Sequence, residues 1–393
     1  MHLGSTERLH ALDNLRALAM LAGVLFHAAL AHSPLVQPFF PTADRAQSVL
    51  LDVLIWFLHL FRMPLFFAIA GYFAAVLIER KGLGGLFRDR LRRVALPFVL
   101  LWPITYLTMA WSTGYAAAHV AHPSPMLRFI NAAQAANLPA PPPGTGHLWF
   151  LYYLLLFYVL LWIVRTLLPA HGCLVPRGRA TGTVALLIGL PLLLIPALAS
   201  VSAPHPAPES VLPQFWALMF FGAFFVLGYQ ARRHGALLER CRAHAWGLAV
   251  AGLLMYAMFY LALRAQPPSL KAPTASWLQA ASSAFVSVWM TLACLGLGQR
   301  LLAVRHRLLR YLADASYWVY VAHLPVLLAV QYALMDFVWP WPAKLLVAVS
   351  ATMSVCLLSF NGLIRDTWVG TWLLGRAAPA ATRPSRALAG DRA

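Results

Sequence analysis

Apolar runs of about 20 residues recur along the whole chain, separated by short polar or proline-rich stretches. A helix of that length spans ~30 Å, which is the thickness of the hydrocarbon layer of a bilayer. The pattern predicts an all-α, polytopic integral membrane protein. We predict ten transmembrane helices, at residues 15–33, 49–78, 91–112, 147–167, 182–201, 212–231, 245–264, 276–299, 310–334 and 341–364.

The composition excludes a water-exposed globular domain. Of the 393 residues, 61% are hydrophobic and 11% are charged, and the mean hydropathy is +0.69. We expect residues 1–376 to form one transmembrane domain and residues 377–393, rich in Ala, Pro and Arg, to form a disordered cytoplasmic tail. The proline-rich stretch 113–146 predicts an irregular surface loop.

The net charge of +18 would suggest nucleic-acid binding in a soluble chain, but its distribution indicates orientation instead. With the predicted helices, 24 of the 30 Lys and Arg residues fall on one side of the membrane. The other side receives Arg45, Arg128, Arg264 and Lys271. Because basic loops stay in the cytoplasm, we predict that both termini are cytoplasmic and that no nucleic acid is bound.

The start of the chain has features of a cleaved secretory signal: Arg8, Arg16, an apolar stretch and small residues at 29–31. Asp13 is unusual in such a basic leader, and His27 interrupts the apolar segment. We therefore expect the first helix to be retained.

The sequence contains no pattern that predicts a bound metal or nucleotide. No Walker loop or dinucleotide-binding glycine motif is present. The four cysteines have no pairwise spacing typical of metal ligands or disulfides, and we expect them to be inert: Cys173, Cys241, Cys294 and Cys356.

Ionisable residues inside a membrane are costly, so those that occur are candidates for function. In the first helix, His27 follows Arg16 by eleven positions, which is close to three full turns. The two side chains share a face, roughly 16 Å apart. In the structural alternative, Arg16 only anchors the end of the helix and His27 is bonded to a neighbouring carbonyl.

The second helix carries Arg62 near mid-membrane, two residues before Pro64. Pro64 frees a backbone carbonyl and is expected to bend or break the helix. A purely structural role for Arg62 requires a carboxylate partner such as Asp52. His59 lies one turn from Arg62, and Gly71 permits close helix packing.

Two further histidines are candidates. His147 opens the fourth helix beside Trp149, so the alternative is an interfacial histidine in an aromatic belt. His323 stands at the same predicted depth as His27 in the ninth helix. Its alternative is a core histidine bonded to a carbonyl freed by Pro325.

Before the third helix, Arg90 and Arg93 are separated by one helical turn. Two guanidinium groups so placed suit a phosphate or pyrophosphate ligand, although most such clusters only enforce topology. The sequence thus combines anion-binding potential at the cytoplasmic mouth with histidines and an arginine deeper in the membrane.

These residues resemble the acyltransferase-3 family of membrane proteins. The resemblance rests on Arg16 and His27, on Arg90 and Arg93, and on the segments 12–17, 61–73, 147–151 and 315–325. Within the family the segments are most similar to the branch that succinylates periplasmic glucans. Ala70 and Leu324 depart from the pattern of that branch, where a serine and a second histidine are usual.

The resemblance implies a multi-pass enzyme of the bacterial inner membrane. Acyl-coenzyme A would be the donor substrate, with no permanently bound cofactor, and its phosphates would lie near Arg16, Arg90 and Arg93. His27 would be the general base, and Arg62, His147 and His323 would stabilise the oxyanion or orient the acceptor. The reaction implied is O-acylation, with a succinyl or acetyl group, of an extracytoplasmic glycan such as a periplasmic glucan.

Two other classes of function stay open at this point. A secondary transporter for a small anionic or sugar substrate would also have about ten helices, proline-broken segments and intramembrane charge. A structural or receptor membrane protein would not depend on His27 for any activity. The sequence gives no indication of the oligomeric state.

Overall fold

The computed structural model describes residues 5–140, 142–167, 179–266, 274–365, 367 and 370. Within these ranges the chain is helical and forms no β-strand. The α-helices are α1 (Ser5–Leu30), α2 (Val49–Arg90), α3 (Leu96–His119), α4 (Pro125–Ala135), α5 (Trp149–Leu167), α6 (Arg179–Val184), α7 (Leu190–Ala199), α8 (Phe215–Arg233), α9 (Ala236–Ala265), α10 (Trp277–Leu301), α11 (Arg307–Leu334) and α12 (Trp341–Ser359). The predicted tail 377–393 and Cys173 lie outside the described residues.

Each of the ten predicted membrane spans corresponds to helix in the structure. Short π-helices at Leu91–Ala95, Ala185–Gly189 and Phe360–Arg365 extend α3, join α6 to α7 and continue α12. Among the described residues, nine helical runs have the length and hydropathy needed to cross a membrane. One of them, Val49–His119, contains two of the predicted spans. The prediction of an all-α, polytopic membrane protein is confirmed.

The chain reverses direction at Gly82, inside the run assigned to α2. Gly82 has φ +70°, in the left-handed region that glycine adopts without steric penalty. Before this point, α2 passes from Asp52, which accepts a hydrogen bond from Ser33, to Arg80. After it, the chain returns through α3, where Trp102 Nε1 donates to the Gly144 carbonyl (3.0 Å). Gly82 therefore separates the second span from the third.

The bundle has two chemically different ends. The basic end contains the turn at Gly82 and the connections from α8 to α9 and from α10 to α11. At this end Arg232 of α8 pairs with Glu79 of α2 (2.6 Å). Here Asn14 Nδ2 donates to the Leu302 carbonyl (2.9 Å), fixing the start of α1. The far end contains residues 31–48, 120–140, 142–148 and 200–214.

Helices α2 and α8 cross with their backbones in contact. A Cβ atom on Gly71 would overlap the carbonyl oxygen of Phe225, and one on Gly228 would overlap that of Ala68. Small residues allow this approach, which is a common packing mode in membranes. The close packing predicted for Gly71 is confirmed, and it fixes the position of α2 and of the side chains that α2 carries.

Pro64 does not break α2, so the helix break allowed by the prediction is absent. The helix keeps helical backbone angles through Pro64 and departs from them at Gly82. The Leu60 carbonyl, which Pro64 leaves without its helical donor, lies 2.7 Å from the Ser287 hydroxyl of α10. Because this hydroxyl replaces the lost backbone donor, the proline is tolerated inside the membrane.

The loop 31–48 is tied to the helices by buried polar contacts. Lys344 of α12 pairs with Asp44 (2.5 Å), and both side chains are almost fully buried. Gln331 of α11 accepts from the Thr42 hydroxyl (2.8 Å). Asp52 accepts from Ser33, so it is not the partner of Arg62 that the sequence left open. These contacts hold the loop that follows α1 against α2, α11 and α12.

The stretch 113–146 is more regular than the sequence predicted. Helix α3 continues to His119, and a further helix, α4, follows. The Ser124 hydroxyl accepts from the Leu127 amide (3.1 Å), and Pro125 occupies the first turn, where its missing amide proton is not needed. Serine followed by proline is a helix-start signal, and it outweighed the prolines that favoured an irregular loop.

We expect the substitution Gly71→Ala to destabilise the protein, because the added methyl group overlaps backbone that no side-chain rotation can move. The melting temperature of detergent-purified protein, followed by tryptophan fluorescence, should fall. Gly247→Ala is the matched control, since a Cβ at Gly247 of α9 meets open space. Equal melting temperatures for the two variants would contradict the described α2–α8 contact.

Candidate active site

One cavity of about 1010 Å³ extends from the basic end of the bundle to the far end. At the basic end its walls include Arg80, Lys81 and Asp89, and at the far end Phe39 and Glu209. All seven residues proposed from the sequence line it: Arg16, His27, Arg62, Arg90, Arg93, His147 and His323. The tertiary structure thus brings together residues of α1, α2, α11 and the start of α5 that lie far apart in the sequence.

A carboxylate organises the cations at the basic end. Asp89 Oδ1 lies 3.4 Å from Arg93 Nε and 3.7 Å from Lys81 Nζ, and Asp89 Oδ2 lies 4.0 Å from Arg90 Nη1. Arg90 also lies over the ring of Tyr158, 5.1 Å from its centroid. Arg90 ends α2, whereas Arg93 belongs to the π-helix Leu91–Ala95, so the two are not on one regular α-helical turn as predicted.

Arg16 faces the same end of the cavity from α1. Its Nη2 donates to the Ala313 carbonyl of α11 (3.0 Å) and lies 3.5 Å from Asp13 Oδ1. Its Nε is buried and has no partner among the described residues. The guanidinium is therefore oriented by two contacts while part of it is left for another ligand.

Three imidazoles meet in the middle of the cavity. The ring centroid of His323 lies 5.3 Å from that of His27 and 5.8 Å from that of His147. The shared face predicted for Arg16 and His27 is confirmed, since both line the cavity from one helix. His147 is buried by protein and faces the other imidazoles, so its surroundings are the bundle interior.

Backbone carbonyls fix the orientation and tautomer of two of these rings. His323 Nδ1 lies 2.8 Å from the Tyr320 carbonyl and 3.0 Å from that of Val319. His147 Nε2 lies 3.0 Å from the Val321 carbonyl. Because a carbonyl oxygen only accepts, each of these nitrogens carries a proton, which leaves the other nitrogen of each neutral ring as an acceptor.

The carbonyl freed by Pro325 belongs to Val321, and it is His147 that bonds to it. The alternative considered for His323, a bond to the carbonyl freed by Pro325, is therefore wrong. The Tyr320 hydroxyl completes the arrangement by donating to the His147 carbonyl (2.5 Å). The proline in α11 thus helps to position a histidine that precedes α5.

His27 differs from the other two imidazoles because no protein group bonds to it within the described part of the chain. Its ring packs edge-on against Phe26, with 4.9 Å between centroids, and is partly exposed to the cavity. Asp13 contacts Arg16, and Asp52 bonds to Ser33, so neither orients His27. Both nitrogens of His27 are left available to a ligand.

Arg62 is buried without a carboxylate in the described structure. Its side chain is 8% exposed, its Nε has no partner, and its guanidinium lies over the ring of Phe26, 4.5 Å from the centroid. A Cβ on Gly23 would lie 2.5 Å from Arg62 Nη1, so α1 accommodates the guanidinium one turn before His27. The condition for a purely structural Arg62, a paired carboxylate, is not met. An unpaired buried cation makes Arg62 a candidate for holding negative charge.

Unpartnered polar atoms are concentrated along the cavity. Of twelve buried side-chain atoms without a hydrogen-bond partner in the described structure, seven belong to residues that line it: Arg16 Nε, Trp56 Nε1, Arg62 Nε, Arg90 Nε, His147 Nδ1, His205 Nδ1 and the Tyr317 hydroxyl. Buried polar groups are normally satisfied, so these atoms are available to water or to a polar ligand in the cavity.

Comparison with known proteins agrees with this chemistry. The family of the acyltransferase domain matches residues 9–360. The chain belongs to the acyltransferase-3 family. It is therefore a membrane acyltransferase, and the transporter alternative is set aside.

Curated relatives of this acyltransferase-3 protein include glucans biosynthesis protein C of Salmonella gallinarum, Salmonella paratyphi B and Salmonella typhi. Each is 26% identical over 328 residues, covering 81% of this chain and 82% of the relative. No solved structure is significantly similar to the chain. The resemblance found in the sequence motifs is confirmed over nearly the full chain.

The acyltransferase cavity also contains residues that the sequence motifs did not reveal as candidates. His205 and Glu209 lie in the loop 200–214, and the His59 ring packs edge-on against that of His205, with 4.5 Å between centroids. Burial, and then the neighbouring His59, hold the pKa of His205 well below its usual range. Burial raises the pKa of Glu209. A histidine between Pro204 and Pro206 was the available sequence signal, but a loop has no periodicity that shows where its side chains point.

We expect Gly23→Ala to impair acyl transfer while the protein still folds. The added Cβ lies 2.5 Å from the far end of a flexible side chain, so the Arg62 guanidinium can move aside, and it would then leave its place beside His27. The acylated product, quantified by mass spectrometry, should fall at least about tenfold at equal membrane abundance. Gly84→Ala, where a Cβ meets open space, is the control. Unchanged acylation in Gly23→Ala would show that the position of Arg62 is unimportant.

Proposed function

We propose that this acyltransferase transfers an acyl group from acyl-coenzyme A, bound from the basic end, to a hydroxyl of a glycan that enters from the far end. The observation that carries the proposal is the single cavity joining the arginine cluster, the three imidazoles and the far-end loops. The names of the curated relatives support a glucan as the acceptor. Succinyl and acetyl are the acyl groups that we propose to test.

The basic end suits the phosphates of the donor. Arg16, Arg90 and Arg93 each direct a guanidinium to the cavity, and Asp89 holds two of these side chains in place. Guanidinium groups recognise phosphate oxygens through paired, charge-assisted hydrogen bonds. With the phosphates there, an extended thioester arm would follow the face of α1 toward His27.

His27 is the proposed general base. A sugar hydroxyl is a poor nucleophile at neutral pH, and a neutral imidazole is suited to accept its proton. His323 and His147 already donate one ring proton each to a carbonyl, whereas His27 makes no such bond in the described structure. The buried guanidinium of Arg62 would stabilise the negative charge that develops on the attacked carbonyl oxygen.

The membrane orientation follows from the distribution of charge. The basic end would face the cytoplasm, where acyl-coenzyme A is made, and both termini would lie on that side. The far end would open to the periplasm of a bacterial inner membrane. Acyl transfer would then move the acyl group across the membrane while the donor and acceptor stay on their own sides.

We expect His27→Ala to reduce glycan acylation by about 100-fold or more, the range that general bases contribute. Mass spectrometry of periplasmic and surface glycans from cells with the intact protein, the variant or a deletion measures this, and the mass increment identifies the acyl group. His119→Ala is the control, since His119 is exposed at the far end outside the cavity. Acylation at the intact level in His27→Ala cells would overturn the assignment.

Donor recognition gives a separate expectation. Arg90→Ala and Arg93→Ala should each raise the KM for acyl-coenzyme A about 10- to 100-fold, the equivalent of one charged hydrogen bond. The KM for an acyl-pantetheine, which has the thioester but no phosphates, should not change. Arg88→Ala is the control, because Arg88 lies on the same segment without lining the cavity. Equal effects on both donors would show that the arginines do not bind the phosphates.

A further inference from the structure

The far end of the cavity is covered by the loop 200–214, which joins α7 to α8. Five residues of this loop line the cavity: Pro204, His205, Pro206, Ala207 and Glu209. Phe39 and Phe40 of the loop 31–48 line it from another side. A molecule entering from the far end must pass these residues before it reaches the imidazoles.

Hydrogen bonds hold this loop to four different parts of the bundle. The Thr145 amide donates to the Glu209 carbonyl (2.6 Å), and the Tyr152 hydroxyl donates to that of Val211 (2.6 Å). His59 Nε2 lies 2.8 Å from the His205 carbonyl. The amide of Ala275 donates to the Val201 carbonyl (2.6 Å). The loop is therefore a fixed wall of the cavity, and its side chains have defined positions.

Two buried ring nitrogens in this wall lack partners. His205 is 5% exposed and Trp56 is 8% exposed, yet His205 Nδ1 and Trp56 Nε1 make no hydrogen bond in the described structure. Trp56 packs against His59, with 5.7 Å between ring centroids, and His59 packs against His205. Aromatic faces with polar nitrogens at their edges are a suitable surface for the apolar faces and hydroxyls of a sugar.

The formal charge at this end is opposite to that at the other. The described Lys and Arg residues that line the cavity lie at the basic end, apart from Arg62 in the middle. The described carboxylate that lines the far end is Glu209, which protein groups partly surround and which still has surface accessible to a ligand. A carboxylate accepts hydrogen bonds from hydroxyls and repels anions.

We propose that Glu209, His205 and Trp56 form the acceptor subsite and that Glu209 makes it selective for uncharged carbohydrate over acidic carbohydrate. This inference rests on the proposed function, and it adds the location and the charge class of the acceptor. Hydroxyls of a neutral sugar would donate to Glu209 and replace the water that burial removes. A sugar carboxylate or phosphate in the same place would be repelled.

The test uses two acceptors of equal length, a neutral gluco-oligosaccharide and the same oligosaccharide in which only some residues are oxidised to carboxylates at C6, so that both acceptors keep free C6 hydroxyls. Purified full-length protein in lipid nanodiscs receives acetyl- or succinyl-coenzyme A, and kcat/KM is measured for each acceptor. The intact protein should prefer the neutral acceptor at least about tenfold. Glu209→Asp should keep the preference, Glu209→Gln should weaken it, and Glu209→Lys should reverse it.

The KM for the donor should stay the same in all three variants, since Glu209 lies at the other end of the cavity from the arginines. Asp336→Asn is the matched control, because it removes a carboxylate at the far end outside the cavity and should leave the acceptor ratio unchanged. Transfer with the same acceptor ratio in the intact protein and in Glu209→Lys would overturn this inference alone. Absence of transfer from the intact protein to either acceptor would overturn the proposed function and with it this inference.

Discussion

The guanidinium of Arg62 lies inside an apolar helix bundle with no carboxylate beside it in the described structure. A charge in this environment costs several kcal/mol unless an aromatic face, a cavity or a ligand compensates it. Phe26 supplies the aromatic face, Gly23 supplies space, and the cavity supplies access to a ligand. The contact between α2 and α8 at Gly71 holds the helix that presents Arg62. The cavity and its chemistry therefore depend on how this one charge is accommodated.

Prolines inside the helices create a second constraint, because each frees a backbone carbonyl. Two of them, Pro64 of α2 and Pro325 of α11, act on residues near the cavity. The carbonyl of Leu60 accepts a hydrogen bond from the Ser287 hydroxyl, so α2 continues past the proline. The carbonyl of Val321 accepts a hydrogen bond from His147, and this bond also fixes the orientation of that imidazole in the cavity. The same backbone defect is thus repaired in one helix by a packing contact and in the other by a residue of the candidate active site.

Charge along the cavity changes from cationic at the basic end to anionic at Glu209. An acyltransferase that works across a membrane needs two substrates to approach from opposite sides without exchanging places. An arginine cluster attracts a phosphate-bearing donor, and a carboxylate at the far end disfavours it. The imidazoles lie between the two, where the acyl group and the acceptor hydroxyl would meet.

The sequence by itself determined the position and type of the membrane-spanning helices, because apolar runs of that length have no other stable fold in lipid. It also predicted the shared face of Arg16 and His27, since helical periodicity within one element is a local property. It did not predict that His147 bonds to the carbonyl freed by Pro325, that Asp89 holds the arginines, or that His205 and Glu209 enter the cavity. Those contacts join segments far apart in the chain or side chains of an irregular loop. Only the tertiary structure decided them, because helix packing sets which groups meet and loops carry no periodicity from which to infer it.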